Sequence, residues 1–110
     1  RGVWCLCCPM IDGHLDLGAA LAHLGQLGLT SVMVESGGAL MQALVDCQRV
    51  DEVWLFSSPG HWPKDGVTSR FDLETAWNQV PSARKWDGEI GPDRLRIWSD
   101  PTRKSSRTTL

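Results

Sequence analysis

The stretch TSVMVESGGALMQALVD, Thr30 to Asp46, sets the strongest limit on what this chain can fold into. An apolar run ends at a carboxylate, Glu35, and two glycines, Gly37 and Gly38, follow after one residue. The short run Ser31–Val34 predicts a buried strand, while Leu40, Ala43, Leu44 and Cys47 mark one face of a helix that starts directly after the glycines. A strand handing over at once to a helix is the repeating joint of an α/β sheet.

The same alternation extends on both sides. Val3–Cys8 predicts a short apolar strand stopped by Pro9, and Met10–His14 predicts a turn. Leu17, Ala20, Leu21, Leu24 and Leu27 fall at helical spacing, with Asp16 placed as N-cap and Gly28 just past the end. Glu52–Phe56 predicts a third strand. Strands alternating with helices of this length imply crossover connections, and so a mainly parallel sheet with flanking helices. Beyond Phe56 the texture changes. SSPGHWPKDGVTSR is rich in turn formers and reads as a long loop; FDLETAWNQV reads as a short helix or an irregular crossing. ARKWDGEI and DRLRIWS flank GPD and predict a C-terminal antiparallel hairpin. The polar tail, residues 101–110, has almost nothing to bury and is expected to be disordered. No internal repeat is present, and 110 residues suffice for one domain with a core but not for two.

Composition narrows the function classes. A net charge of −2 supplies no basic field for nucleic acid phosphates. No apolar run approaches the roughly 20 residues that span a bilayer, so no membrane partner is expected. The N-terminal segment RGVWCLCCPMIDG is a poor signal peptide, because Pro9 and Asp12 break its apolar stretch. The expectation is a cytoplasmic protein.

Cys5, Cys7 and Cys8 crowd one segment, and Cys47 stands apart. C-x-C-C is not the pair spacing of structural zinc sites, and on a strand Cys8 would face away from Cys5 and Cys7. The cysteines therefore read as small buried hydrophobes in a reducing compartment, and no metal is expected. His14, His23 and His61 read as helix-flanking, helix and loop residues without a nucleophile partner. Asp12, Asp16, Asp51 and Glu52 read as caps and turn residues rather than an acid/base pair. Of six tryptophans, Trp4, Trp54 and Trp98 are expected in the core and Trp62, Trp77 and Trp86 at the surface.

The junction itself has a chemical reading. A helix start presents unpaired N–H groups and the positive end of a dipole, both suited to an anion. Glycines there let the backbone approach a phosphate, so Gly37 and Gly38 are candidates for a phosphate cradle. Glu35 is placed to accept hydrogen bonds from ligand hydroxyl or amino groups. A tight turn at the glycines and a solvated strand-end acid at Glu35 stay open beside these readings.

Taken together, LTSVMVESGGALMQALVDCQRVDEVWLF resembles the reductase domain of the bifunctional riboflavin-biosynthesis deaminase/reductase, which has a dihydrofolate-reductase-like fold. The matching elements are Val34, Glu35, Gly37 and Gly38, then a short helix, then Val50, Asp51 and Glu52 leading into a strand. DGHLDLGAALAHLGQLGLTS resembles the family's preceding helix, and GEIGPDRLRIW its closing hairpin. The resemblance runs from about Val3 to Trp98 and is thin between Gly60 and Arg84.

The resemblance implies an enzyme that reduces the ribosyl ring of 5-amino-6-(5-phosphoribosylamino)uracil with NADPH. It makes Glu35 a substrate-contacting acid. It places Gly37, Gly38, Ala39, Leu40, Met41, Gln42 and Ala43 around the cofactor phosphates, with no covalent nucleophile, since the nicotinamide carries the chemistry. It also implies a homodimer. The chain departs from the pattern at Ala39, where a threonine hydroxyl is common, and at SSPGHWPKDG, which replaces a loop of glycine and leucine. No basic signature for a 2′-phosphate is present. The family's domain is about twice as long, so residues 1–100 are expected to form its C-terminal half, an incomplete fold that is inactive alone. The alternative is a non-catalytic assembly or regulatory module derived from the same fold.

Overall fold

In a computed structural model, residues 2–60, 64–66, 72–78 and 83–103 are described. They fall into two compact units, Arg1–Glu35 and Ser36–Leu110.

The first unit begins with a segment without helix or strand, followed by a minimal hairpin. Strands β1 (Met10–Ile11) and β2 (His14–Leu15) pair antiparallel, joined by Asp12 and Gly13. Both turn residues have positive φ, 50° and 78°, and Asp-Gly is a preferred pair for such a turn because its twist matches that of the strands. Helix α1 (Leu17–Gln26) follows directly. Its start is closed by Asp16, whose carboxylate accepts the Ala19 N–H at 3.0 Å. Its end is closed by Gly28 at φ +85°, with the Leu29 N–H reaching back to the Leu24 carbonyl at 3.2 Å. Leu17, Ala20, Leu21 and Leu24 are half-buried along one face, while Leu27 is exposed.

The second unit opens with helix α2 (Gly38–Asp46). Leu44 is its one buried residue, flanked by half-buried Met41 and Val45. The inward face is therefore turned from the expected one, for Leu40, Ala43 and Cys47 are exposed. Gln48 at φ 54° and an Arg49 N–H bonded to the Leu44 carbonyl turn the chain toward strand β3 (Glu52–Ser57). Helix α3 (Leu73–Asn78) is capped by Asp72, which accepts from the Thr75 N–H at 3.0 Å and from its hydroxyl at 2.6 Å. Strands β4 (Arg84–Ile90) and β5 (Asp93–Ser99) form a hairpin around Gly91 and Pro92, with Gly91 at φ +59° in the first central position.

The sheet order is β3-β5-β4, with β5 antiparallel to both neighbours. One face carries the core, where Val53 and Trp98 are buried and Val50, Leu55 and Ala83 pack against them.

The expected mainly parallel sheet with flanking helices is overturned. Two separate antiparallel sheets of two and three strands stand in its place, and no parallel pair occurs among the described residues. The predicted strands Val3–Cys8 and Ser31–Val34 carry no ladder, and Trp4 and Met33 are 82% and 84% exposed. An apolar run becomes a strand only when a neighbour takes up its N–H and C=O groups, and these two runs have none among the described residues. Other expectations also change. Trp4 and Trp54 are exposed rather than in the core, and Cys5, Cys7 and Cys47 are exposed rather than buried. Trp98 is in the core and Trp86 at the surface, as their positions predicted. His61, Trp62, the Trp77 side chain, half of the 57–70 stretch and residues 104–110 lie outside the described residues. At the start of the tail, Asp100 accepts the Thr102 N–H at 2.9 Å, closing a turn.

Candidate functional site

The sequence points first to the start of α2. Gly37 is its N-cap, with φ −69° and ψ 170°, and makes no side-chain cap. The Met41 N–H bonds to the Gly37 carbonyl at 3.3 Å, and the Ser36 hydroxyl donates to the same oxygen at 3.2 Å. Helix geometry leaves the preceding N–H groups of the first turn without intrahelical acceptors. No acidic side chain stands in that first turn. The contrast with α1 is plain: Asp16 closes one helix start with a carboxylate, and the other start is left bare.

Gly37 is not required by the backbone. Its φ suits any residue, and a Cβ built there would meet nothing within 4 Å. The space at the helix start is open, which fits an anion brought close to the main chain. Gly38 is the first helical residue and half-buried; Ala39, Leu40, Gln42 and Ala43 are exposed, and Met41 is half-buried. Gln42 is engaged, donating to Asp46 at 2.7 Å. Glu35 is exposed and is the last residue of the first unit, so the structure groups Gly37 through Ala43 on one element and leaves Glu35 on the other unit.

A second polar cluster was not anticipated. Glu74 on α3 accepts from Arg96 on β5 and pairs with Lys85 on β4 at 3.4 Å. Both cations lie over the Trp98 ring, 5.2 and 5.7 Å from its centroid. The Arg96 hydrogen bond, and then the Lys85 pair, hold the Glu74 carboxyl below the usual carboxylate range. Asp87 is likewise lowered by its bond to Arg94, whose Nε donates at 2.8 Å. Strand periodicity puts Lys85, Arg96 and Trp98 on one face. Their partner on α3 carries no sequence signal. The arrangement fastens a short helix to the sheet.

No group of three His, Cys, Asp or Glu side chains that could hold a metal ion occurs among the described residues. No described helix is long and apolar enough to cross a membrane.

The sequence profile of the RibD C-terminal domain matches residues 3–77. The chain belongs to the RibD C-terminal domain family. The matched region covers α1, the junction at Glu35–Gly38, all of α2, and β3; the β4–β5 hairpin lies beyond it. RibD C-terminal domains are reductase domains of riboflavin biosynthesis, so the coarse assignment is a reductase-type function on a small molecule. No curated protein matches the chain.

Proposed function

We propose that this RibD C-terminal domain forms part of an NADPH-dependent reductase acting on 5-amino-6-(5-phosphoribosylamino)uracil in riboflavin biosynthesis. The observation that carries the reading is the family match across the whole junction, joined to a bare helix start at Gly37. In this account the first-turn N–H groups of α2, with Gly37 and Gly38 keeping side chains out of the way, hold a cofactor phosphate. Ala39 through Ala43 form the helical turn behind them. Glu35 accepts hydrogen bonds from the substrate. NADPH supplies the hydride when bound; the chain's part is to grip and orient, which is where much of the rate in such reactions arises. Association into a homodimer belongs to the same proposal.

No basic side chain lies between Thr30 and Gln48, so what this stretch offers a phosphate is its N–H donors and the helix dipole. The test is a pair of substitutions. In the full-length enzyme, Gly38→Val places a branched side chain at the helix start and is expected to weaken NADPH binding about tenfold or more, with the helical signal of the fold retained. In the full-length enzyme, Glu35→Gln removes the charge and is expected to reduce turnover or substrate affinity more than cofactor affinity. A folded Gly38→Val variant with unchanged NADPH affinity would remove the cradle.

A further inference from the structure

We propose that the Asp12–Gly13 turn of the β1–β2 hairpin is a site of spontaneous covalent modification, at which Asp12 converts to isoaspartate and releases the cap of α1. Asp12 and Gly13 are the two turn residues, both with positive φ, 50° and 78°. Every residue from Met10 to Leu15 is exposed, and the ladder consists of the pairs Met10–Leu15 and Ile11–His14. So short a ladder, with nothing buried, opens readily. The Asp12 carboxylate takes no hydrogen bond or ion pair among the described residues, so it is free to turn toward its own backbone.

Water is the sole co-reactant. When the hairpin opens, the Gly13 amide nitrogen reaches the Asp12 side-chain carboxyl carbon, and glycine carries no side chain to crowd the approach. A C–N bond forms, the amide proton and a carboxyl hydroxyl leave as water, and a succinimide ring closes. Water then adds at the former backbone carbonyl and breaks its bond to nitrogen. The chain now runs through the side-chain carbon, and a free α-carboxylate remains. The product is an isomer of unchanged composition with an added methylene in the backbone. That insertion spoils a turn in which Asp12 and Gly13 alone join Ile11 to His14. The hairpin also closes through the Asp16 N–H on the Pro9 carbonyl at 2.9 Å, and the Asp16 carboxylate accepts the Ala19 N–H at 3.0 Å. Losing the hairpin therefore frees the residue that caps α1. A second Asp-Gly pair provides the contrast. Asp87–Gly88 lies inside β4, opposite Arg96 and Leu95, and the Asp87 carboxylate accepts from Arg94 Nε at 2.8 Å. Its backbone and its carboxylate are both held. The third pair, Asp65–Gly66, is exposed and stands between segments outside the described residues.

Timed incubation of the full chain in warm neutral buffer made with heavy-oxygen water tests this. Each succinimide opening installs a heavy oxygen, which mass spectrometry of peptides locates. A protease that cleaves before aspartate but not before isoaspartate identifies the linkage. Isoaspartate is expected to build up at Asp12 at least roughly tenfold faster than at Asp87, since a residue reacts only in the open fraction of its element. Asp12→Glu, whose longer side chain does not close the same ring, should stay unmodified at this position. In the aged wild type the Ala19 amide is expected to exchange faster than in fresh protein, and Asp12→Glu aged alongside should show no such change. An Asp12 that stays intact, or that converts no faster than Asp87, would overturn the proposal. So would aged protein carrying isoaspartate at Asp12 in which Ala19 exchange is unchanged.

Discussion

Glu74 of α3 accepts a hydrogen bond from Arg96 of β5, the central strand of the sheet, across 22 residues of sequence. With Lys85 on the neighbouring strand, this pairing ties the helix to the face that holds Trp98. The Glu74 carboxyl is held below its ordinary value, chiefly by that bond. A carboxylate lowered on folding adds stability that is complete above its unfolded-state value, about 4.3, and is lost as pH falls through the lower folded value. Acid should therefore release α3. Near-ultraviolet circular dichroism or tryptophan fluorescence followed from neutral pH downward is expected to change below about pH 4.3. In Glu74→Gln that component should be missing, and an unchanged acid profile would show that the pair does not hold the helix.

The two tryptophans at opposite extremes of exposure give a second test. Trp98 is 1% exposed, and Trp4 is 82% exposed. Trp98→Ala is expected to cost about 3–5 kcal/mol, because it leaves a cavity beside Val53 and removes the ring beneath Lys85 and Arg96. Trp4→Ala is expected to fall within about 0.5 kcal/mol of wild type. Urea denaturation of both variants distinguishes them, and a large loss for Trp4→Ala would place that residue in a core after all.

Asp16 closes the start of α1 through the Ala19 N–H. Asp16→Ala leaves that donor without its carboxylate and is expected to destabilise the helix by about 1 kcal/mol. Asp16→Asn keeps an acceptor and should recover most of the loss. Hydrogen exchange at Ala19 reads the cap directly: it should quicken in the alanine variant and not in the asparagine one.

What could be read in the sequence was what depends on near neighbours. Asp16 and Gly28 bracket α1 because a cap and a left-handed turn are local devices, and the GPD turn joins β4 to β5 for the same reason. The start of α2 at the glycine pair was equally legible. Its inward face was not, since Leu40 and Ala43 fit the helical period as well as Met41 and Val45 do. Val3–Cys8 and Ser31–Val34 failed as strands because a strand is a relation between segments, and apolar content alone supplies no partner. The parallel sheet failed with them. β3 was read correctly as a strand, but its antiparallel pairing to β5 follows from the return path of the chain, which periodicity does not encode. Of the candidate site, residue types and order were legible in the sequence, while the missing cap and the open space beside Gly37 became visible only in three dimensions.

The central claim is that the bare start of α2 receives a cofactor phosphate, and amide chemical shifts test it most directly. Titrating the isotope-labelled chain with NADPH should move the amide resonances of Gly38, Ala39 and Leu40 first and furthest, because their N–H groups point out of the helix start. The Ala19 amide, already bonded to Asp16, should stay in place as the internal control. Gly38→Val should abolish the response. If NADPH leaves the Gly38–Leu40 amides unmoved at saturating concentration, or moves a different set of residues, the phosphate is not held at this helix and the account is wrong.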